Sequence, residues 1–268
     1  MGAALASDLA LAVGGLATLA LWLRGGLRIG VGPPGGDFEP ARVRRLLRIG
    51  TPAGIEQAAF QLGFTTFIWI VALYGNAANA AYQIGVQILS FSFLVGFGFS
   101  IAASTLVGQN LGAGDPDAAE RSGWRAMWLA IGVMVVFGTV IIVFAEPIAR
   151  LLIDDAEVVR LAVVFIRVLG SVQALMAIEF TLGGALRGAG DTRFPLFVVL
   201  AGMVVMRLGT AVTLRALDFS VEWIYAALLA DYGVKGVMLV WRFRGGRWKT
   251  ELAREPGRAI DPIEPSEA

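Results

Sequence analysis

Hydrophobic residues run along this chain in long unbroken stretches rather than in alternation. Seven stretches approach the ~20 apolar residues that a bilayer-spanning helix requires. They are Ala3–Leu23, Ile49–Leu73, Ala80–Val107, Ala126–Ala145, Leu161–Leu186, Phe194–Leu214 and Ile224–Trp241. The last is the weakest, because Asp231 and Lys235 interrupt it. Runs of this length without period-two alternation predict helices rather than a membrane β-barrel. The fold class expected is all-α, a polytopic membrane protein of seven transmembrane helices. Polar breaks carry helix-start signals. Thr51-Pro52 and Asp115-Pro116 each read as a cap followed by a first-turn proline. Asp154, with Glu157 three residues on, resembles a capping box.

Composition agrees with lipid as the solvent. Of 268 residues, 57% are hydrophobic and only 16% charged, against about a quarter charged in soluble domains. Mean hydropathy is +0.71. The chain has no cysteine and no histidine, which removes disulfides, thiolate metal sites and the usual proton-relay imidazole. Proton or cation chemistry therefore falls to carboxylates. A net charge of +1 gives no reason to expect nucleic acid as a partner.

Basic residues orient the spans, since arginine and lysine accumulate on the cytoplasmic side. Six lie between Arg24 and Arg48, two (Arg121, Arg125) after the third span, two (Arg187, Arg193) after the fifth, and six between Arg242 and Arg258. These sixteen share one side, and only Arg150, Arg160 and Arg215 fall in loops on the other. The chain is thus expected in the plasma membrane with an outside N-terminus and a cytoplasmic C-terminus. The first span lacks a basic flank before it, so the sequence reads as the tail of something longer. Residues 25–48 contain Gly32-Pro33-Pro34-Gly35-Gly36 and the run Arg42-Val43-Arg44-Arg45, the mark of a cytoplasmic linker with an amphipathic lead-in. The segment beyond Arg254 is expected to be a disordered cytoplasmic tail.

Two motifs carry a family resemblance. Val107-Gly108-Gln109-Asn110-Leu111-Gly112-Ala113-Gly114-Asp115-Pro116 leaves the third span, and Gly184-Ala185-Leu186-Arg187-Gly188-Ala189-Gly190-Asp191-Thr192 leaves the fifth. With Gly2-Ala3-Ala4-Leu5-Ala6 and Gly246-Arg247-Trp248-Lys249, in this order and spacing, the chain resembles the second half of the multidrug and toxic compound extrusion (MATE) family over roughly residues 2–250. The resemblance implies two six-helix lobes joined by a cytoplasmic loop. On it, residues 1–24 are the last helix of an otherwise missing N-terminal lobe and 25–48 the inter-lobe linker. Residues 49–243 are a six-helix C-terminal lobe and 244–268 the tail.

Charges inside the spans each need a reason, because one near the bilayer centre costs about 2.5–3.5 kcal/mol on insertion scales. They are Asp8, Glu56, Arg167, Glu179, Arg207, Asp231 and Lys235. Glu56 lies about 10 Å deep from the cytoplasmic side at 1.5 Å per residue, and Glu179 lies at a similar depth. Neither has a basic residue one turn away in its own helix. Carboxylates so placed are expected to bind and release H⁺ or Na⁺. The resemblance also places Glu56 on the acid of the family's seventh helix tied to coupling and substrate binding. Packing through hydrogen bonds with Gln57 and Gln61 is the plainer reading of Glu56. Arg207 and Asp231 are expected to form a structural ion pair, with Asp231 and Lys235 also four apart on one helix face. Arg167 is expected to snorkel. Gln57, Gln83 and Gln87 are candidate cavity-lining residues, and Gly184 with Gly188 forms a small-residue packing pair. Arg187, Asp191 and Arg193 are read as structural, Asp191 capping the next helix.

The function expected is cation-coupled antiport: H⁺ or Na⁺ exchanged for amphipathic, cationic drugs or metabolites by alternating access. The lipid bilayer and a small organic substrate are the partners, with no cofactor beyond the coupling ion. A separate half-transporter or the missing N-terminal lobe would complete the cleft. Alternatives are a non-transporting truncated remnant and a lipid-linked saccharide flippase of the same superfamily. No nucleophile–base constellation or paired acidic metal motif points to an enzyme.

Overall fold

Described from a computed structural model, residues 2–24 and 40–250 are almost wholly helical. The linker stretch 25–39 and the tail 251–268 lie outside the described residues, as does the side chain of Asp8. The chain divides into two compact units, Met1–Leu47 and Arg48–Ala268. The first contains α1 (Gly2–Leu23), 22 residues of apolar helix.

The second unit holds the remaining helices. They are α2 (Pro40–Ala72, entering from the first unit), α3 (Asn76–Gly112), α4 (Pro116–Val143), α6 (Ala156–Ser171), α7 (Gln173–Gly188), α8 (Arg193–Val199), α9 (Gly209–Ala216) and α10 (Val221–Arg244). The short α5 (Ala145–Leu152) follows α4, and a nine-residue π-helical stretch, Leu200–Leu208, joins α8 to α9. Among the described residues five helices are long and apolar enough to cross a membrane, or six where the bent pair α6–α7 is counted as one broken span.

Helix starts depart from two expectations. Pro52 lies inside α2 rather than at its start. The arginine- and leucine-rich residues 40–50 are good helix formers, and the proline forfeits one backbone hydrogen bond without ending the helix. The cap of α6 is Asp155 rather than Asp154. Its carboxylate accepts from the backbone N–H of Glu157 and Val158 at 2.9 and 3.0 Å. Asp115 caps α4 through Ala118 N–H at 2.7 Å, with Pro116 in the first turn.

The fifth hydrophobic run is not one straight span. It bends by 49° between Ser171 and Gln173. Gly170 and Gly138 bring α6 and α4 so close that a Cβ on Gly138 would lie 2.6 Å from the Gly170 carbonyl. Backbone groups in lipid must be satisfied within the protein. The Gln173 amide serves one of them, donating to Leu169 C=O at 3.3 Å and to Ser92 Oγ at 2.8 Å.

Two aromatic cores hold the lobe at its ends. At the arginine-poor end Tyr82 packs on Phe165 at 4.9 Å and Phe165 on Tyr225 at 4.8 Å, with Phe67 against Tyr82, tying α2, α3, α6 and α10. At the arginine-rich end Trp248 stacks on Phe243 at 4.6 Å and Trp124 packs edge-on against Phe243.

Candidate functional site

Small residues set the geometry of the site. A Cβ on Gly184 would lie 2.3 Å from Ser100 O, and one on Gly188 2.2 Å from Ser104 O. A Cβ on Gly108 would in turn meet Gly188 O at 3.1 Å. Backbone therefore packs on backbone where α7 crosses α3, and the two sequence motifs meet face to face. Glu179, Gly183 and Arg187 then form an i, i+4, i+8 stripe on one face of α7. That stripe opens into a cavity of about 570 Å³ walled by α2, α3, α7, α8 and α10.

The cavity combines aromatic walls with a few charges. Phe60, Phe64, Phe93, Phe97 and Phe180 line it, in edge-on contacts such as Phe97–Phe180 at 5.1 Å. Glu56, Glu179 and Arg187 also line it, with Gln57, Gln61, Ser90 and Ser100. Arg187 Nη1 donates to Glu56 Oε1 at 2.8 Å, and Nη2 donates to Ser100 Oγ at 3.3 Å. Both partners of this pair are partly open, 32% and 15% exposed at the side chain.

Behind the wall sits a chain of four charges. Arg207 Nη2 lies 2.5 Å from Asp231 Oδ2, and Lys235 Nζ lies 3.0 Å from both Asp231 Oδ1 and Glu179 Oε1. Arg207, Asp231 and Lys235 are fully buried, whereas Glu179 reaches the cavity. The Tyr232 ring faces both cations, 5.2 Å from the guanidinium and 5.1 Å from the ammonium. Gly202 of the π-helical stretch makes the room. A Cβ there would meet Asp231 Oδ1 at 2.3 Å and Lys235 Cε at 2.5 Å.

The structure thus changes the expectation of acids without cations. Glu56 and Glu179 do share one cavity, but each is paired with a cation from another helix. Arg187, read from sequence as a loop residue, is in the cavity wall; its i+8 relation to Glu179 was the available signal. Lys235 reaches past Asp231 to Glu179, a contact for which the sequence holds no spacing rule. Arg207 and Asp231 meet as described.

Gln57 lines the cavity, but Gln83 and Gln87 do not; both are exposed. The lining stripe of α3 is Val86, Ser90, Phe93, Phe97 and Ser100. Gln87 is turned about 100° from Val86 at 3.6 residues per turn. Arg167 is exposed. Asp191 accepts from Phe194 N–H at 3.3 Å and from Arg242 Nε at 2.8 Å, joining the start of α8 to the end of α10.

Comparison with known proteins follows the same lines. The MatE family model matches residues 52–213. A probable multidrug resistance protein NorM of Thermotoga maritima is 30% identical over 263 residues, covering 95% of this chain and 55% of its own length. The solved structure of the Vibrio cholerae MATE transporter VcmN in its bent form is similar with a TM-score of 0.78 at 18% identity, over 88% of this chain and 54% of that one. A MOP superfamily transporter from Pyrococcus furiosus, described as having a binding pocket of reversed polarity, is similar with a TM-score of 0.71 at 19% identity, over 80% of this chain and 48% of that one. The chain spans about half the length of the curated relatives it matches.

Proposed function

Starting from the chain's membership of the MatE family of multidrug and toxic compound extrusion transporters, we propose that it is the C-terminal half of a cation-coupled antiporter. That antiporter exports amphipathic organic compounds, cationic ones included, by alternating access across the plasma membrane, with the arginine-rich end and the C-terminus cytoplasmic. A second lobe, covalently joined or separate, faces the cavity and completes the cleft. Multidrug resistance is what the names of the NorM relatives say of them, and that supports the reading.

The observation that carries it is Glu56 and Glu179 in one aromatic-lined cavity. Phenyl faces bind the apolar body of a lipophilic cation and attract its charge. A carboxylate fixes that charge until H⁺ or Na⁺ replaces it. Glu56 is the acid whose partner can be exchanged, because Arg187 is partly exposed and can swing aside.

The test is gradient-driven efflux of ethidium from proteoliposomes. Glu56→Gln is expected to abolish it while leaving membrane insertion intact. Retained efflux in that variant overturns the role of Glu56, and no efflux by the unaltered chain overturns antiport by this chain alone. One observation favours a second reading. Arg187 on the wall offers a site for an anionic headgroup, as a lipid-linked saccharide flippase would need. The two wall carboxylates oppose it.

A further inference from the structure

Within that antiporter reading, on which this inference rests, the structure assigns Lys235 a role. It is a tethered counter-cation that fills the place a sodium ion would take between Glu179 and Asp231, so the ion exchanged in this cavity is the proton.

The first argument is position. A sodium site in a helical membrane protein is built from carboxylate and carbonyl oxygens turned towards one point. Beside this cavity Glu179 Oε1 and Asp231 Oδ1 turn towards one point. Lys235 Nζ already stands 3.0 Å from each. A second monovalent cation on the same oxygens would lie within a few ångströms of the ammonium, in surroundings too dry to screen the repulsion.

Volume is the second argument. Asp231 and Lys235 have no exposed surface. The backbone of Gly202 lies so near that even a methyl group there would meet Asp231 Oδ1 at 2.3 Å and Lys235 Cε at 2.5 Å. With backbone that close, the place between the two carboxylate oxygens is filled by the ammonium itself, 3.0 Å from each.

The remaining charges decide what can still bind. Arg207 holds the other oxygen of Asp231 from the π-helical stretch, and Tyr232 covers both cations from α10. Glu56 Oε2 and Glu179 Oε2 are buried and have no hydrogen-bond partner. A free carboxylate oxygen accepts a proton without displacing the cation on its sister oxygen. A sodium ion asks for several oxygens at once and finds them taken. Protonation of Glu56 would remove the negative charge that fixes a cationic substrate, and so release the substrate as the proton binds. Lys235 keeps Glu179 charge-balanced through the cycle.

The experiment compares thermal unfolding of the purified protein in sodium chloride and in choline chloride at equal ionic strength. The unaltered protein is expected to give the same Tm in both. Lys235→Met removes the ammonium but keeps the stem, and it should acquire a sodium-specific rise. The rise should be about 5–10 °C when sodium stands ~100-fold above its dissociation constant. Lys235→Met with Glu179→Gln should show no rise. A sodium-specific rise in the unaltered protein, or none in a folded Lys235→Met variant, overturns the proposal. Should Lys235→Met not fold, gradients applied to proteoliposomes of the unaltered protein decide. Ethidium movement driven by a proton gradient but not by a sodium gradient supports the proposal, and sodium-driven movement overturns it. Absence of movement under both gradients counts against the antiporter reading, while a sodium-specific rise in the Tm of the unaltered protein would still overturn the assignment of Lys235.

Discussion

Replacing Asp231 by asparagine is the sharpest test of how the buried charges hold the lobe together. The carboxylate has no exposed surface and touches two cations, Arg207 at 2.5 Å and Lys235 at 3.0 Å. The amide keeps the shape and removes the charge. Lys235 retains Glu179 at 3.0 Å. Arg207 retains the Tyr232 side chain and the Phe67 ring, the rings at 5.2 and 5.8 Å, but no carboxylate among these neighbours. Breaking a buried pair by removing one partner typically costs about 3–5 kcal/mol, because a charge is left behind in the interior. At about 2–4 °C per kcal/mol for a domain of this size, Tm should fall by about 6–20 °C. The assay is thermal unfolding of the purified protein in detergent, followed by tryptophan fluorescence. The control is the double variant Arg207→Met with Asp231→Asn. It removes both charges of the pair and leaves Lys235–Glu179 whole, so it should recover much of the loss, a coupling of about 0.5–3 kcal/mol. Two results would refute the reasoning: a loss below about 1 kcal/mol for Asp231→Asn, or a double variant as unstable as the sum of its parts.

Two further substitutions test how the site is positioned. Gly184→Ala puts a methyl group 2.3 Å from Ser100 O, so α7 must move off α3 by about 1 Å to regain ordinary contact, at about 1–3 kcal/mol. The Arg187–Glu56 contact at 2.8 Å should lengthen with it; a lower Tm together with weaker ethidium binding is expected, and unchanged values in both would contradict the close-packing account. Trp248→Ala removes a fully buried indole that stacks on Phe243 and donates to Phe243 C=O at 2.7 Å. It should cost about 3–5 kcal/mol in unfolding experiments, and a loss under about 1 kcal/mol would place that turn outside the cooperative unit.

What was legible in the sequence divides along a physical line. Spans are legible because lipid imposes one condition on every residue of a helix. Apolar runs of the right length therefore announced the all-helical membrane fold, and Asp115-Pro116 announced the start of α4. Features that depend on two helices at once were only half visible. The glycines at 184 and 188 signalled close packing, yet nothing in their spacing named Ser100 and Ser104 as the partners. Glu56 and Glu179 stood out because acids are costly in a membrane, but their cations lie 131 residues away in one case and on α10 in the other. The breaks in the spans were hidden for a related reason. The bend at Val172 and the π-helical stretch at Leu200–Leu208 contain no proline, and each lies at a close approach to a neighbouring helix: Gly138 against Gly170, and Asp231 and Lys235 against Gly202. In this lobe the chemistry sits where helices give up regular geometry to bring charges together, and a hydropathy pattern averages over those points. An ammonium placed between two carboxylates looks, along the chain, like an i, i+4 ion pair. Only the third group, Glu179, which lies on another helix, shows that the ammonium bridges two carboxylates.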